Sequence, residues 1–426
     1  LSTMPCVFSA SLDPARFDAL AGILAGRFCT DMLLSSPGYA GESRSFIGLE
    51  PSAELLIEKA TRPGRIKEFA FGPGGPVMGF LSYTYGLGLR SVESGKQTRF
   101  PHGHLKKYRA ILKYDAAGET LEFFGEELLC SQAIQLVESI ENFSELPPEV
   151  RLPRSEPRVS LDRAGYEAGV AETLERIRDG WTYQLNLSTR FTWSCPDLDS
   201  LSLFLGLRRR FPAPFYGYVR SGPYRVLSTS PERFLKVEDG RVLSQPIKGT
   251  ARVGQDEKES YRKLVDSPKE GAELSMIVDL IRNDISAHCE YGSVRVERHK
   301  SVFRVDDLLQ MYADVRGDLR ADRDCIDLLL DAFPGGSVTG CPKQSSMRII
   351  EELEPHTRDI FCGSLLVIED ERTMDSSVAI RTAVYDQERG LLDYWAGSGI
   401  VIASDPHAEY LETMAKAGKF LQGGTA

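Results

Sequence analysis

Strand-like runs that follow one another with only a turn between them restrict this chain most. Residues 215–220, 224–229 and 233–246 form one such series, and 364–369, 377–385 and 392–402 form another. Parallel neighbours need a crossover of a dozen residues or more, so runs this close predict antiparallel pairing. Helical patterns recur at 162–179, 257–285, 342–354 and 406–421, and 182–192 alternates like a strand with one wet face. The class expected is α+β, with antiparallel sheets and helices packed outside them. No internal repeat or low-complexity tract changes that reading.

Residues 1–150 alternate short β-like runs with Gly/Pro breaks and end in an amphipathic stretch near 131–142. The segment 145–157 then places four prolines among polar residues. Proline continues neither helices nor central strands, so this segment is the expected linker between a region 1–150 and a region 158–422.

Charge and cysteine usage remove several function classes. The 426 residues hold 51 Lys+Arg against 61 Asp+Glu, a net charge of −10, without a basic block or stripe. That argues against a nucleic-acid partner, which needs phosphate-neutralising cations. Apolar stretches break within about ten residues, short of the roughly 20 that a membrane helix requires. Leu1 to Leu20 has no positive n-region or signal-peptide core. The eight cysteines, at 6, 29, 130, 195, 289, 325, 341 and 362, form no CxxC pair. A reduced, cytoplasmic location without a membrane partner is expected.

Two helical patterns carry paired carboxylates. Glu409, Glu412 and Lys416 fall at i, i+3 and i+7 on one stripe, and Glu270 and Glu273 repeat the three-residue spacing. A solvated face with a Glu412–Lys416 pair explains the first set. A hard divalent cation held by carboxylates of two helices explains both. The loop Phe333-Pro-Gly-Gly-Ser-Val-Thr-Gly-Cys-Pro-Lys343 leads into a helix whose entry amides could attract an anion, although tight turns alone also require its glycines. It is no P-loop, because Cys341 stands where Lys is needed, and Gly397-Ser-Gly399 fails the dinucleotide fingerprint at Ile402. Lys248 ends an apolar run and reads either as a snorkelling strand-end Lys or as a nucleophile activated by a low-dielectric site. Glu232 reads either as a surface ion-pair partner or as a general acid.

Seven strings in order resemble the chorismate-utilising enzymes, a family that includes anthranilate, aminodeoxychorismate, isochorismate and salicylate synthases. They are TyrGlnLeuAsnLeuSer at 183–188, SerProGluArgPhe at 230–234, ProIleLysGlyThr at 246–250, AlaGluLeuSerMetIleValAspLeuIleArgAsnAsp at 272–284, ProGlyGlySerValThrGlyCysProLys at 334–343, MetAspSerSerValAlaIleArgThr at 374–382, and GlySerGlyIleVal at 397–401 with GluTyrLeuGluThr at 409–413. The resemblance covers roughly 160–420 and implies a sandwich of two antiparallel sheets with helices outside. It also implies Mg²⁺ bound through Glu273 and Glu412, with Glu270 and Glu409 as neighbouring or water-mediated ligands. Arg381, Lys416 and the amides around Gly397, Ser398 and Gly399 would hold the pyruvyl carboxylate, with Thr250 and Gln184 also on the substrate.

Two positions separate the reactions within the family. Position 248 is Lys where anthranilate synthases typically carry Ala, and position 184 is Gln where isochorismate and salicylate synthases typically carry a water-activating Lys. Lys248 with Gln184 resembles the aminodeoxychorismate synthase component I branch. That branch implies attack of Lys248 at C2 of chorismate, Glu232 as general acid, and ammonia from a separate glutamine amidotransferase subunit. Anthranilate synthase component I and a noncatalytic chorismate-binding subunit are the competing readings. Three departures from common family strings stand out: Asp307 replaces a His, Phe361 replaces a Tyr, and Leu33-Leu-Ser-Ser36 matches the regulatory tryptophan-site string only in part.

Overall fold

The computed structural model describes residues 5–36, 44–139, 152, 156–211, 213–254, 256–305 and 308–422. Its strands form two arms, and every pairing between named strands is antiparallel, as the short connections require. The first arm starts at Cys6–Ser11 and passes through Thr120–Gly125, Gly103–Asp115, Arg44–Ile57 and Thr30–Ser35. It continues through Phe215–Ser221, Tyr224–Ser230, Thr382–Asp386 and Leu391–Val401 to Gln184–Ser194. The second arm leaves Gly103–Asp115 through Val77–Leu81, Ser364–Asp370, Thr373–Val378, Arg233–Glu238 and Arg241–Gln245. It ends at Leu308–Asp318, which pairs with both Ile247–Arg252 and Arg295–Val305.

The arms bury their apolar faces against each other. Val219, Val226 and Trp395 of the first share one core with Leu235, Leu365 and Met374 of the second. Gly217 permits this approach, since a Cβ there would run into the side chain of Leu365. Strands from either side of residue 150 are hydrogen-bonded neighbours, as Thr30–Ser35 is with Phe215–Ser221. The proline-dense segment 145–157 lies mostly outside the described residues.

Three runs resolve differently from the sequence expectation. The stretch 233–246 is a hairpin, turned by Asp239 (φ 51°) and Gly240 (φ 80°). The stretch 377–385 breaks at Arg381 (φ 50°) into Thr373–Val378 and Thr382–Asp386, which belong to different arms. The stretch 257–285 is two helices, Glu257–Val265 and Pro268–Ser286. Ser267 Oγ accepts from the Glu270 N–H at 3.3 Å, and Pro268 occupies the first turn of the second helix, where its missing N–H costs nothing.

One ladder of the first arm positions the site. In Gln184–Ser194 paired with Leu391–Val401, Leu185, Leu187 and Ile400 pack into one cluster with Tyr166, Ile349 and Ile350 of outer helices. Alternation turns Gln184, Asn186, Gly397 and Gly399 to the opposite face. A fully buried ion pair braces this ladder. Arg358 reaches Glu354 through Nε at 2.9 Å and Nη2 at 2.7 Å, and also donates to the carbonyls of Val338 at 3.0 Å and Asn186 at 2.6 Å. Removing the cation leaves the buried Glu354 charge without its guanidinium, although the Ser188 N–H and Oγ still donate to it at 2.8 Å and 2.7 Å, so Arg358→Met is expected to lose about 3–5 kcal/mol of stability. Urea unfolding checks this, and an unchanged midpoint would refute the bracing role.

Candidate active site

Lys248 lies at the start of the strand Ile247–Arg252, and its Nζ is 3.5 Å from the Ser337 carbonyl. Ser337 sits in the short turn Gly336–Val338, and its Oγ donates to Glu232 Oε1 at 2.7 Å. One serine therefore contacts both groups. Glu232 is only 5% exposed, and burial pushes its carboxyl up to about 7, although the Ser337 hydrogen bond and the Lys248 charge act the other way. A carboxyl near 7 is poised to give or take a proton at neutral pH.

The glycine face of the ladder closes over the same point. A Cβ on Gly399 would stand 3.6 Å from Lys248 Nζ and 3.9 Å from Gln184 Nε2. Lys248, Gln184 and Gly399 thus converge. The glycine-rich loop serves as a tight turn: the N–H groups of Val338 and Thr339 bond to Gly335 and Gly336 within it. Gly340 has a φ of 149°, and a Cβ there would overlap the Gln184 carbonyl. Lys343, at the following helix start, donates to Asp284 at 2.8 Å and to the Ala332 carbonyl at 2.6 Å.

Three of the carboxylates, Glu270, Glu273 and Glu412, sit around Lys248 or its strand. Glu273 is half-buried, and burial together with the negative charges of Glu270 and Glu412 raises its pKa against the pull of Lys248 and Lys269. Glu270 lies against the Lys248 strand, where a Cβ on Gly249 would come 3.0 Å from its Oε2. Burial also pushes Glu412 upward, but Lys416, Lys269 and Lys248 outweigh it and hold the carboxyl below the ordinary range. Lys416 pairs with Glu412 at 2.8 Å and donates to the Gly397 carbonyl at 3.1 Å. Glu409 is 3% exposed, with Oε1 accepting from Ser404 Oγ at 2.7 Å and Oε2 buried without a partner among the described residues.

This donor set suits a hard dication in its chemistry: all oxygen, mutually repelling, with one orphaned buried carboxylate atom. Among the described residues, however, no three His, Cys, Asp or Glu are already drawn together in a metal-holding group. Glu409 in particular is turned toward Ser404.

Thr250 is exposed and pairs across the sheet with Gln310. Ser398 is fully buried on the helix side, where its hydroxyl meets Tyr166 OH at 3.0 Å. The charge of Arg381 offsets part of the burial that pushes Tyr394 up to about 12. Phe361 is buried and stacked on Trp395, with centroids 6.3 Å apart. Asp307 lies outside the described residues. Sequence reasoning missed Ser337 as the bridge and Asn186 as a site-facing residue. The alternation of Gln184-Leu-Asn186 opposite Gly397-Ser-Gly399 was the available signal for Asn186.

Comparison with known proteins follows the same lines. Residues 39–422 match the family model of chorismate binding enzymes. Aminodeoxychorismate synthase component 1 of Klebsiella aerogenes is 40% identical over 267 residues, which is 62% of this chain and 58% of that protein. Anthranilate synthase component 1 of Aquifex aeolicus is 38% identical over 266 residues, 61% of this chain and 53% of that protein. The alignments thus span little more than half of these relatives' lengths. Anthranilate synthase component I from Streptococcus pneumoniae shares the fold at a TM-score of 0.77 and 24% identity, over 89% of this chain and 92% of that one. The menaquinone-specific isochorismate synthase from Escherichia coli does so at 0.76 and 18% identity, over 99% and 94%.

Proposed function

The chain belongs to the chorismate binding enzymes, and from that premise we propose that it aminates chorismate at C4, giving 4-amino-4-deoxychorismate and water. The observation that carries this reading is Ser337 joining a lysine and a buried carboxyl of raised pKa within one site. A noncatalytic binding subunit would need neither group.

In the proposed reaction the Lys248 amine forms a bond to C2, the two ring double bonds shift, and the C4–O bond breaks. Glu232 gives its proton to the departing hydroxyl, which leaves as water. Ammonia then bonds to C4, the double bonds shift back, and the C2–N bond to Lys248 breaks. Glu232 recovers its proton from the incoming nitrogen, so both side chains return to their starting states. Glu273 and Glu412, with Glu270 and Glu409 beside them, would hold Mg²⁺. That ion, when bound, neutralises the ring carboxylate of the substrate. Lys416 and Arg381 are proposed for the second carboxylate, with the Gly397 and Gly399 backbone, Ser398, Thr250 and Gln184 around the ring.

Ammonia is proposed to come from a glutamine amidotransferase subunit, in keeping with relatives named as component 1. No helix among the described residues is long and apolar enough to cross a membrane. A cytoplasmic location remains part of the proposal.

The test gives the purified chain chorismate, Mg²⁺ and excess ammonium salt, and identifies the product by liquid chromatography and mass spectrometry. Aminodeoxychorismate is expected, with turnover lost in a chelator and restored by added Mg²⁺. Anthranilate would transfer the chain to the other similar branch. Isochorismate would mean that water, not ammonia, reaches C4.

A further inference from the structure

Lys343 stands where a cation is disfavoured. It occupies the first turn of the helix Lys343–Leu353, whose free N–H groups make that end positive, and its side chain is only 10% exposed. Two acceptors offset this. Nζ donates to Asp284 Oδ2 at 2.8 Å and to the Ala332 carbonyl at 2.6 Å. The second bond closes the glycine-rich loop on itself, because Ala332 precedes that loop and Lys343 ends it. Arg90 Nε holds the front of the loop separately, through the Phe333 carbonyl at 2.9 Å.

The bond to Asp284 ties the loop to the helix Pro268–Ser286. Glu273, Ile277, Leu280 and Asp284 recur at i, i+4, i+7 and i+11, so they share one stripe of that helix. Gly336 of the loop packs on this stripe: a Cβ there would overlap the Leu280 side chain and stand 3.8 Å from Asp284 Oδ2. Glu273, a proposed Mg²⁺ carboxylate, therefore lies about three turns from the loop anchor on the same face. Ser337, next to Gly336, donates from Oγ to Glu232 Oε1 at 2.7 Å. A buried ion pair adds little stability over well-packed apolar side chains, since desolvation offsets its attraction. What this one fixes is the seat of the loop on the helix.

We propose that Lys343 and Asp284 are positioning residues for the general acid: their ion pair clasps the loop to the helix Pro268–Ser286 so that the Ser337 hydroxyl reaches Glu232. This rests on the role given to Glu232 in the amination reading above. Both residues act through Ser337.

The experiment measures kcat and KM for chorismate at saturating ammonium, from about pH 5.5 to 9, for the wild type, Lys343→Met, Ser337→Ala and the variant carrying both changes. Ser337→Ala is expected to lower kcat about tenfold, the loss of one hydrogen bond, with the KM for chorismate within about twofold. Lys343→Met should do the same, and the combined variant should be no worse than either alone, because the two act as a unit. The Ser337 hydrogen bond holds the Glu232 carboxyl down against its burial, so both single variants should move the alkaline limb of kcat/KM above pH 7. The Lys248 charge and the Cys362 thiol, which also act on or feel Glu232, are the same in every variant. Lys343→Met/Asp284→Leu removes both charges together and keeps the test open if Lys343→Met does not fold, since apolar replacement of a whole buried pair is often neutral for stability. It is expected to show the same kcat and the same limb. Effects that multiply in the combined variant, or a limb that Lys343→Met leaves in place, would overturn the clasp. A crystal structure of the folded variant decides the point without turnover: Ser337 Oγ is expected beyond hydrogen-bond reach of Glu232, and an intact 2.7 Å contact refutes the proposal. If the wild type yields no aminated product, the amination reading fails while this contact is still decided, so the two failures are distinguishable.

Discussion

Lys248→Ala should abolish amination while leaving chorismate bound. In the proposed route Lys248 supplies the bond that lets the C4 hydroxyl leave, so its loss removes a step and not merely a contact. A fall in kcat on the order of 10³-fold or more is expected, as for groups that act as a unit. The dissociation constant for chorismate should move little, because the proposed carboxylate anchors lie on Lys416, Arg381 and the glycine strand. A second readout is covalent. Wild type quenched during turnover should carry chorismate less water on the peptide containing Lys248, and the variant should not. Full activity in Lys248→Ala, or the same mass increment on another peptide, would remove its nucleophilic role. The environment of Glu273 gives an independent mark, since Lys248 is the largest influence holding that carboxyl down. Deleting it should push the Glu273 pKa further up and weaken Mg²⁺ binding at acidic pH.

What the sequence disclosed about this site depended on whether a signal was local. The break at Ser267-Pro268 was legible in principle, because a Ser cap followed by Pro at the first turn is a helix start even inside a continuous helical pattern. The antiparallel pairing was legible from short connections. That 377–385 serves two arms was not, since it depends on a left-handed residue at Arg381, a conformation few would assign to Arg. Three-residue spacing put Glu409 and Glu412 on one stripe, yet Glu409 turns to Ser404, a partner supplied by the preceding turn. For Gly397-Ser-Gly399, alternation guarantees opposite faces for Ser and Gly but does not say which one meets the site. Tyr166, far away in sequence, decides it by taking the Ser398 hydroxyl into the helix layer. Ser337 carried no sequence signal of its own, as a serine in a glycine-rich turn is ordinary turn chemistry. The Lys248 and Glu232 assignments came from ordered resemblance, and only the fold brings the two to one serine.

Glu232→Gln should make the protein more stable and nearly inactive. Burial raises the Glu232 carboxyl from 4.5 to about 7, against a Ser337 hydrogen bond and the Lys248 charge that both favour ionisation. The folded state therefore binds this proton more tightly than the unfolded chain does. The neutral carboxyl imposes no ionic penalty below the unfolded value near 4.5. Stability is then lost as pH rises from there through about 7, reaching roughly 3 kcal/mol above it. Gln cannot ionise and keeps an oxygen for Ser337 Oγ, so the gap between variant and wild type should be small near pH 4.5 and widen in favour of the variant by pH 8.5. Urea unfolding at the two pH values measures it, and a gap that does not change with pH would contradict the buried ionisation. Catalysis should move the opposite way. Without a proton for the leaving hydroxyl, kcat should fall about 10²–10⁴-fold, with chorismate affinity little altered. Wild-type kcat/KM should decline as pH passes about 7 and Glu232 loses its proton, a limb that the variant's residual activity should lack. The same burial that destabilises the fold at neutral pH holds Glu232 in the range where a carboxyl can act as an acid.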